Sequence, residues 1–484
     1  MRQRFPRCCI VLSFCLAGCP AVAADYAWLI GGGPDPDGSQ AQIEFNVNWV
    51  RGVLRARSKD TQVYVYYTDG NGPSKDVKEA GPVSETREAL TPLARVFGQI
   101  DANAGRFRDH RLGKVDGGTE AGALKERLAS DFQRLRPGDR VLLMYNGHGL
   151  GNEDAADNVL RLWRDTRLSV RDLDELLSKI DSNVPVRFVF TQCYSGGFAR
   201  LIRPQALDVV NLGPATRCGF LAESETRESE GCSAGINIGD YRDYTTYFFA
   251  AIDGQTRLGQ PVEGDADRDG DGQVSPYEAH LYALREAHNA DLPRSTSEVY
   301  LERWQPWYLR WIETGAEPDN VYGDIARAVA VKQNLPQAGR MQTHQLSARR
   351  AKLRARMREV EEQREALRRE IDAAQQEIRR ELVLRWPELR TPYTRHYARF
   401  LKEDVSAAQD LIVDHPGYGK LVRLQDQIAA LDAETLVIER DITQLDKVVR
   451  LRTLARLKAQ FERHAGDERR KEYERLLACE TAPL

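Results

Sequence analysis

A histidine and a cysteine stand at the ends of two apolar runs of the same design. Val141-Leu142-Leu143-Met144-Tyr145 runs into Asn146-Gly147-His148-Gly149. Val186-Arg187-Phe188-Val189-Phe190 runs through Thr191-Gln192-Cys193-Tyr194 into Ser195-Gly196-Gly197. Short β-prone runs closed by glycine read as buried strands, and sites in α/β sheets collect beyond the carboxyl ends of strands. If the two strands are parallel neighbours, imidazole and thiol face each other across the sheet end. A thiol is mostly protonated near neutral pH and needs a base. His148 supplies one and can return the proton to a leaving amine. Gly149 and the residues around Cys193 leave backbone N–H groups to meet an oxyanion, without side chains in the way of a peptide. The chemistry expected is attack of Cys193 on a carbonyl.

A second constellation is a loop of oxygens. In Asp267-Arg268-Asp269-Gly270-Asp271-Gly272-Gln273-Val274-Ser275-Pro276-Tyr277-Glu278, carboxylates recur at alternate positions. Gly272 permits the tight turn, Gln273 offers a carbonyl and Glu278 can bind through both oxygens. The spacing fits an EF-hand loop and predicts a structural Ca²⁺ held by Asp267, Asp269, Asp271, Gln273 and Glu278. A single such loop suits a clamp near the active site better than a paired calcium sensor.

Alternating strands and helices position these groups. Asp25–Ile30 reads as the first strand, and Ile43, Val47, Val50 and Leu54 mark a helix after it. Thr61–Tyr67 reads as the next strand. A polar segment follows to Gly118, with one helix near Leu90–Ile100. Thr119–Leu135, capped by Thr119, and Ser169–Ile180 read as amphipathic helices leading into the His148 and Cys193 strands. Val159–Trp163 reads as a further strand, Phe220–Ser224 as the next strand and loop, Tyr244–Ile252 as a core helix, and Trp304, Trp307 and Trp311 are expected to pack a closing helix. This alternation argues for a parallel sheet covered on both faces.

Asn146-Gly147-His148-Gly149 together with Gln192-Cys193-Tyr194-Ser195-Gly196 resembles the caspase–legumain superfamily of cysteine peptidases. The likeness is closer to the legumain branch, where a Pro-Gly-Asp turn like Pro137-Gly138-Asp139 leads into the histidine strand. It implies a caspase-like three-layer α/β/α sandwich over residues 24–315. It also implies a His148–Cys193 dyad, with oxyanion donors at the backbones of Gly149 and Cys193. It further implies a polar partner beside the histidine from the loop after the first strand, for which Ser39, Gln40, Gln42 and Asn46 are candidates. The chain departs from the pattern at Thr191, where legumain-type sites carry an acidic residue, so an asparagine or aspartate preference does not transfer. Glu223, Glu225 and Glu228 lie where the family borders its substrate pocket. They fit either a basic substrate side chain or a solvated charge run.

The chain ends carry separate signals. Arg2, Arg4 and Arg7, the apolar run Cys8–Ala17 and Ala21-Val22-Ala23 read as a signal peptide over residues 1–23. Leu16-Ala17-Gly18-Cys19 is an overlapping lipobox, and both endings stay open. Either predicts export to a periplasmic or secreted location, with membrane attachment only through a lipidated Cys19. In an oxidising compartment Cys218 and Cys232 would close a short disulfide loop and leave Cys193 free. A linker is expected over 316–345. Residues 346–478 follow coiled-coil grammar, with seams Leu346/Leu353/Val360/Leu367, Met357/Ile371/Ile378 and Leu421/Leu424/Ile428/Leu431/Ile438/Ile442/Leu445/Val449. Trp386-Pro387 and Asp414–Gly417 break them. An extended hairpin used for self-association or a protein partner is expected.

The formal charge of −3 offers no field for nucleic acid. The function expected is an exported cysteine endopeptidase acting on peptides or proteins. The alternative is a catalytically idle caspase-like scaffold that works in envelope assembly through its coiled coil.

Overall fold

The computed structural model describes residues 23–79, 85–97, 107–207, 210–230, 242–311, 318–335, 340–391 and 394–484. Residues 1–22, where the sequence leads one to expect a signal peptide and its cleavage patterns, and Cys232 lie outside them. Strands are β1 (Asp25–Gly32), β2 (Gln62–Tyr67), β3 (Val77–Lys78), β4 (Phe107–Arg108), β5 (Arg140–Leu150), β6 (Val159–Leu162), β7 (Thr166–Ser169), β8 (Val186–Phe190), β9 (Arg217–Leu221) and β10 (Arg294–Ser295). Helices are α1 (Ala41–Arg57), α2 (Glu85–Phe97), α3 (Ala121–Phe132), α4 (Val170–Leu177), α5 (Tyr244–Asp253), α6 (Pro276–Glu286), α7 (Thr296–Trp304), α8 (Val321–Lys332), α9 (Arg340–Arg385), α10 (Arg395–Glu403), α11 (Val405–Asp414), α12 (Tyr418–His464) and α13 (Asp467–Thr481).

The main sheet runs β10-β9-β8-β5-β1-β2. Its inner pairings are parallel and β10 is antiparallel to β9. β6 and β7 form a hairpin on the extended end of β5. Alternation along β1 shows why both faces are covered. Trp28 and Ile30 point into one core with α3 and α4, while Ala27 and Leu29 point into another with α1 and α5. The fold is therefore α/β around a mostly parallel sheet, followed by a long helical region. No helix of the described residues is long and apolar enough to cross a membrane.

Local capping explains several boundaries and corrects one. Ser169 and Ser275 open α4 and α6 with reciprocal capping boxes to Asp172 and Glu278. Thr119 does not cap α3. Glu120 does, accepting from the amides of Gly122 and Ala123, while the Thr119 hydroxyl donates to Thr68 O. Of the tryptophans, Trp304 packs edge-on against Phe461 at 4.8 Å, but Trp307 is 74% exposed.

The helical region differs most from the sequence expectation. α9 and α12, of 46 and 47 residues, form an antiparallel pair. Arg350–Asp446, Arg364–Asp432 and Lys420–Glu370 ion pairs tie them along their length. At the far end of the pair, α2, α10 and α11 close a small core around Trp386, Tyr397 and Ile412. The second half of α12 lies on the α/β unit. There Val448, not the expected Val449, is buried. The stretch expected as a linker contains α8, with Tyr322, Ile325 and Val329 in the core.

The expected Cys218–Cys232 disulfide is not what forms. Cys218 bonds Cys479 across 261 residues. The physical reason is the docking of α13 beside β9: Arg187, the register neighbour of Cys218, donates to Cys479 O at 2.8 and 3.1 Å. Glu480 receives Thr296 Oγ1, Ser297 N and Ser297 Oγ at 2.6–2.8 Å.

Candidate active site

β5 and β8 are parallel neighbours paired from Val141↔Val186 to Tyr145↔Phe190. His148 and Cys193 each follow three residues beyond that last pair, so the two strands bring them out at the same level. Parallel strands lie about 4.8 Å apart. The close approach persists beyond the paired residues: a Cβ on Gly149 would stand 2.3 Å from Cys193 O and 2.7 Å from Gln192 Cγ. Only glycine fits there. Tyr145 supports the same bend, its buried hydroxyl lying 2.9 Å from His148 O and 2.8 Å from Arg161 O.

The loop after β1 holds the imidazole. Nε2 of His148 is 2.8 Å from Gly38 O and 3.1 Å from Gln40 Oε1. A carbonyl can only accept, so Nε2 carries the hydrogen of the neutral ring and Nδ1 keeps the lone pair. Burial pulls the pKa of His148 down, against the Gly38 bond, which favours the charged form. The neutral base is thus the prevailing form near pH 7. Of the expected polar partners, Gln40 is the one at the histidine. Ser39 closes its own loop by accepting from Gly33 N, and Asn46 donates to Asp243. Gln42 is buried elsewhere on α1. The loop folds this tightly because Gly33 lies against the Gly38 backbone, where a Cβ would come within 2.2 Å.

Cys193 is 4% exposed and disulfide-bonded. The other described cysteines bond each other, so its partner lies outside the described residues. The free thiol expected from the sequence is therefore corrected to an oxidised sulfur, and attack requires prior reduction. Tyr194, the next residue, takes a left-handed conformation at φ 59° and turns the chain into the Ser195–Ile202 helical turn. Residues 227–230 cross over the cysteine: Tyr194 N donates to Arg227 O at 2.8 Å and Ser229 N to Cys193 Sγ at 3.2 Å.

That covering segment is held from below and from the side. Asp291, fully buried, accepts Ser229 Oγ, Glu230 N and Tyr244 N at 2.8–2.9 Å. Burial, then the nearby Glu223 and Glu230 charges, push its carboxyl well above the usual range. From α12, Arg440 pairs with buried Glu230 through Nη2 at 2.5 Å. Thr443 donates to Ala290 O, and Lys447 to Ala287 O at 2.8 Å. Arg440, Thr443, Gln444, Lys447 and Arg450 form one buried polar stripe at helical spacing. Sequence reasoning missed it because a charged stripe ordinarily faces water. Their recurrence every three or four residues was the available signal.

Gln192 was also missed. It is fully buried beside Cys193, and neither atom of its amide has a hydrogen-bond partner. Its neighbour Thr191 has a structural task, since it donates to Tyr145 O and accepts from Asn146 Nδ2, which also donates to Thr245. The acidic candidates separate. Glu223 is buried and accepts Ser224 N and Leu292 N. Glu228 accepts the Tyr194 hydroxyl at 3.2 Å, and Glu225 lies 3.9 Å from Arg303.

The acidic loop lies elsewhere. Asp267, Asp269 and Asp271 bring carboxylate oxygens within 4.8 Å of one another. Asp267 also accepts from Gly270 N and Gly272 N at 2.8 Å, which curls the loop around that carboxylate. Glu278 reaches back to the amides of Arg268 and Ser275 at 2.7 and 2.9 Å. The oxygen donors and positive-φ glycines Gly270 and Gly272 fit a hard cation. The position is not the expected one. Arg57 donates to Val274 O, and Pro483 faces both this loop and the strand starts at Asp25, Arg140 and Pro185. The loop therefore borders the end of the sheet opposite His148 and Cys193.

No protein-family model matches the chain, and no curated protein matches it. Among solved structures, it is similar to protein GSU0716 from Geobacter sulfurreducens at 14% identity and a TM-score of 0.33, over 56% of this chain and 92% of that one.

Proposed function

We propose that the chain is a cysteine endopeptidase of caspase–legumain type, held latent by oxidation of its nucleophile. The supporting observation is the shared register that delivers His148 and Cys193 from adjacent parallel strands, with Gly149 against the cysteine backbone. A mostly parallel sheet with helices on both faces suits the caspase-like sandwich. A small thiol first reduces the Cys193 disulfide, itself forming a disulfide. Nδ1 of His148 then takes the Cys193 proton, and Sγ adds to the peptide carbonyl while backbone N–H groups of Gly149 and Cys193 meet the oxyanion. Collapse breaks the C–N bond, the amine leaves with the proton from His148, and water hydrolyses the thioester. Bound Ca²⁺ would be held by Asp267, Asp269, Asp271, Gln273 and Glu278, and its contribution is to fix the loop that opens α6.

The closed state favours one second reading. A buried, oxidised Cys193 under a segment fixed by α12 also suits an idle scaffold for envelope assembly, whose working part is the helical hairpin. Cleavage of a mixed peptide library separates the two, run on the mature exported protein with and without thiol, with and without Ca²⁺, and beside Cys193→Ala. Thiol-dependent cleavage absent from the variant is the expected outcome. A folded, reduced protein that cleaves nothing supports the scaffold.

A further inference from the structure

The amide of Gln192, the residue before Cys193, is fully buried and has no hydrogen-bond partner at either Oε1 or Nε2. Asn146 Oδ1, on the far side of Thr191, is buried and unpartnered as well. Other buried amides close by are fully used. Asn158 donates to Tyr194 O and Glu225 O and accepts from Asn152 N. Asn46 donates to Asp243 and accepts from Arg257. Leaving a buried polar group unpaired costs more than a formed bond returns, so an orphaned amide beside a reactive sulfur calls for a physical reason.

The residues on both sides of Gln192 are tied in place. Thr191 is held by Tyr145 O and Asn146 Nδ2. Cys193 is held by its disulfide and by the Ser229 amide at 3.2 Å, and Tyr194 by Arg227 O at 2.8 Å. The side chain itself lies against Gly149, where a Cβ would stand 2.7 Å from Gln192 Cγ and 2.3 Å from Cys193 O. On the downstream side, then, the restraints gather at the oxidised sulfur and at the segment 227–230 that crosses it.

We propose that Gln192 is a positioning residue that sets the redox balance of Cys193: its unpaired amide raises the free energy of the oxidised form and so favours reduction. The step is thiol exchange, in which two small thiols reduce the Cys193 disulfide to two cysteine thiols and leave as one disulfide. Reduction frees Cys193, its carbonyl and the crossing residues to move, and the Gln192 amide then meets backbone or water. An apolar side chain of similar length has no amide to desolvate, so it leaves the oxidised form more stable and keeps the sulfur in its disulfide. This role rests on the reading of Cys193 as a nucleophile held latent by oxidation, yet it is measured without a substrate. A protein that cleaves nothing would still show the shift, and a peptidase without the shift would have no such role for Gln192.

The test is equilibration of the intact mature protein in mixtures of reduced and oxidised glutathione, followed by alkylation of free thiols and peptide mass mapping. Mapping resolves Cys193 from Cys218 and Cys479. Gln192→Met is expected to lower the equilibrium constant for reduction at Cys193 by about tenfold and to leave that of Cys218–Cys479 unchanged. In denaturant titration the oxidised variant should gain stability over the oxidised parent, and the reduced variant should show no such gain over the reduced parent. Should Gln192→Met fail to fold, Gln192→Leu carries the same reading. An unchanged constant, a shift toward reduction, or an equal gain of stability in both redox forms (the mark of plain core packing) would each overturn this role. Failure of both variants to fold would overturn it too, by making the amide a requirement of the fold.

Discussion

Gly149 has no room for a side chain because the Cys193 carbonyl occupies the place where a Cβ would be. Gly149→Ala should therefore push the two strand ends apart. Overpacking of this kind costs about 1–3 kcal/mol, which denaturant titration would read as a lowered midpoint. Under the peptidase reading, activity should fall far more than stability, because the displaced backbone is the oxyanion donor. Equal losses would speak against that role. The placement of His148 and Cys193 beyond the ends of neighbouring parallel strands was legible in the sequence, since two apolar runs each end in glycine with one reactive residue. The oxidation of Cys193 was not. A disulfide depends on which sulfurs the fold brings together, and no local pattern around Cys193 encodes its partner.

At the scale of elements, α12 and α13 act as clamps, and their polar contacts make the clamping sensitive to charge. Glu480, buried against Thr296 and Ser297, has its carboxyl raised by burial from 4.5 to about 7. A raised acid stabilises the fold fully below its unfolded value and loses that contribution as pH rises through the folded one. The melting temperature should thus decline across that window, and Glu480→Gln should flatten the decline. An unchanged pH profile in the variant would show that α13 does not feel this group. On α12, Arg440→Met would leave Glu230 buried beside Cys193 without its cation, a loss of about 3–5 kcal/mol. Adding Glu230→Gln should recover part of it, and a double variant no better than the single would count against the pair. Periodicity did reveal both long helices. It placed Leu421, Leu424, Ile438 and Leu445 on the buried side but missed the buried polar stripe of α12, because Lys447 and Arg450 look solvated until their carbonyl and carboxylate partners at Ala287 and Glu298 are known.

For the whole molecule, the α/β unit and the helical region are not separable modules. β9 is covered by α13 and covalently joined to it through Cys218–Cys479. In the chain-entropy picture, bonds closing long loops stabilise by about 2–5 kcal/mol. Cys479→Ser should lower the unfolding free energy by that order without reductant, and reductant should erase the difference between variant and parent. An equal stability without reductant would contradict the pairing. The sequence suggested the shorter Cys218–Cys232 loop because separation along the chain was the only distance available. The docked position of α13 is a tertiary fact, set by Glu480, Tyr473 and Leu476 meeting surfaces hundreds of residues earlier.

The bond between Cys218 and Cys479 turns most of the chain after β9 into a closed ring that contains the whole helical hairpin. A protease that nicks the turn at Asp414–Gly417 would cut the ring once and release nothing. The two fragments would migrate as one species on a denaturing gel until a thiol is added, then part. Loss of the hairpin needs two cuts, one on each arm, and even then β9 keeps α13 at its side.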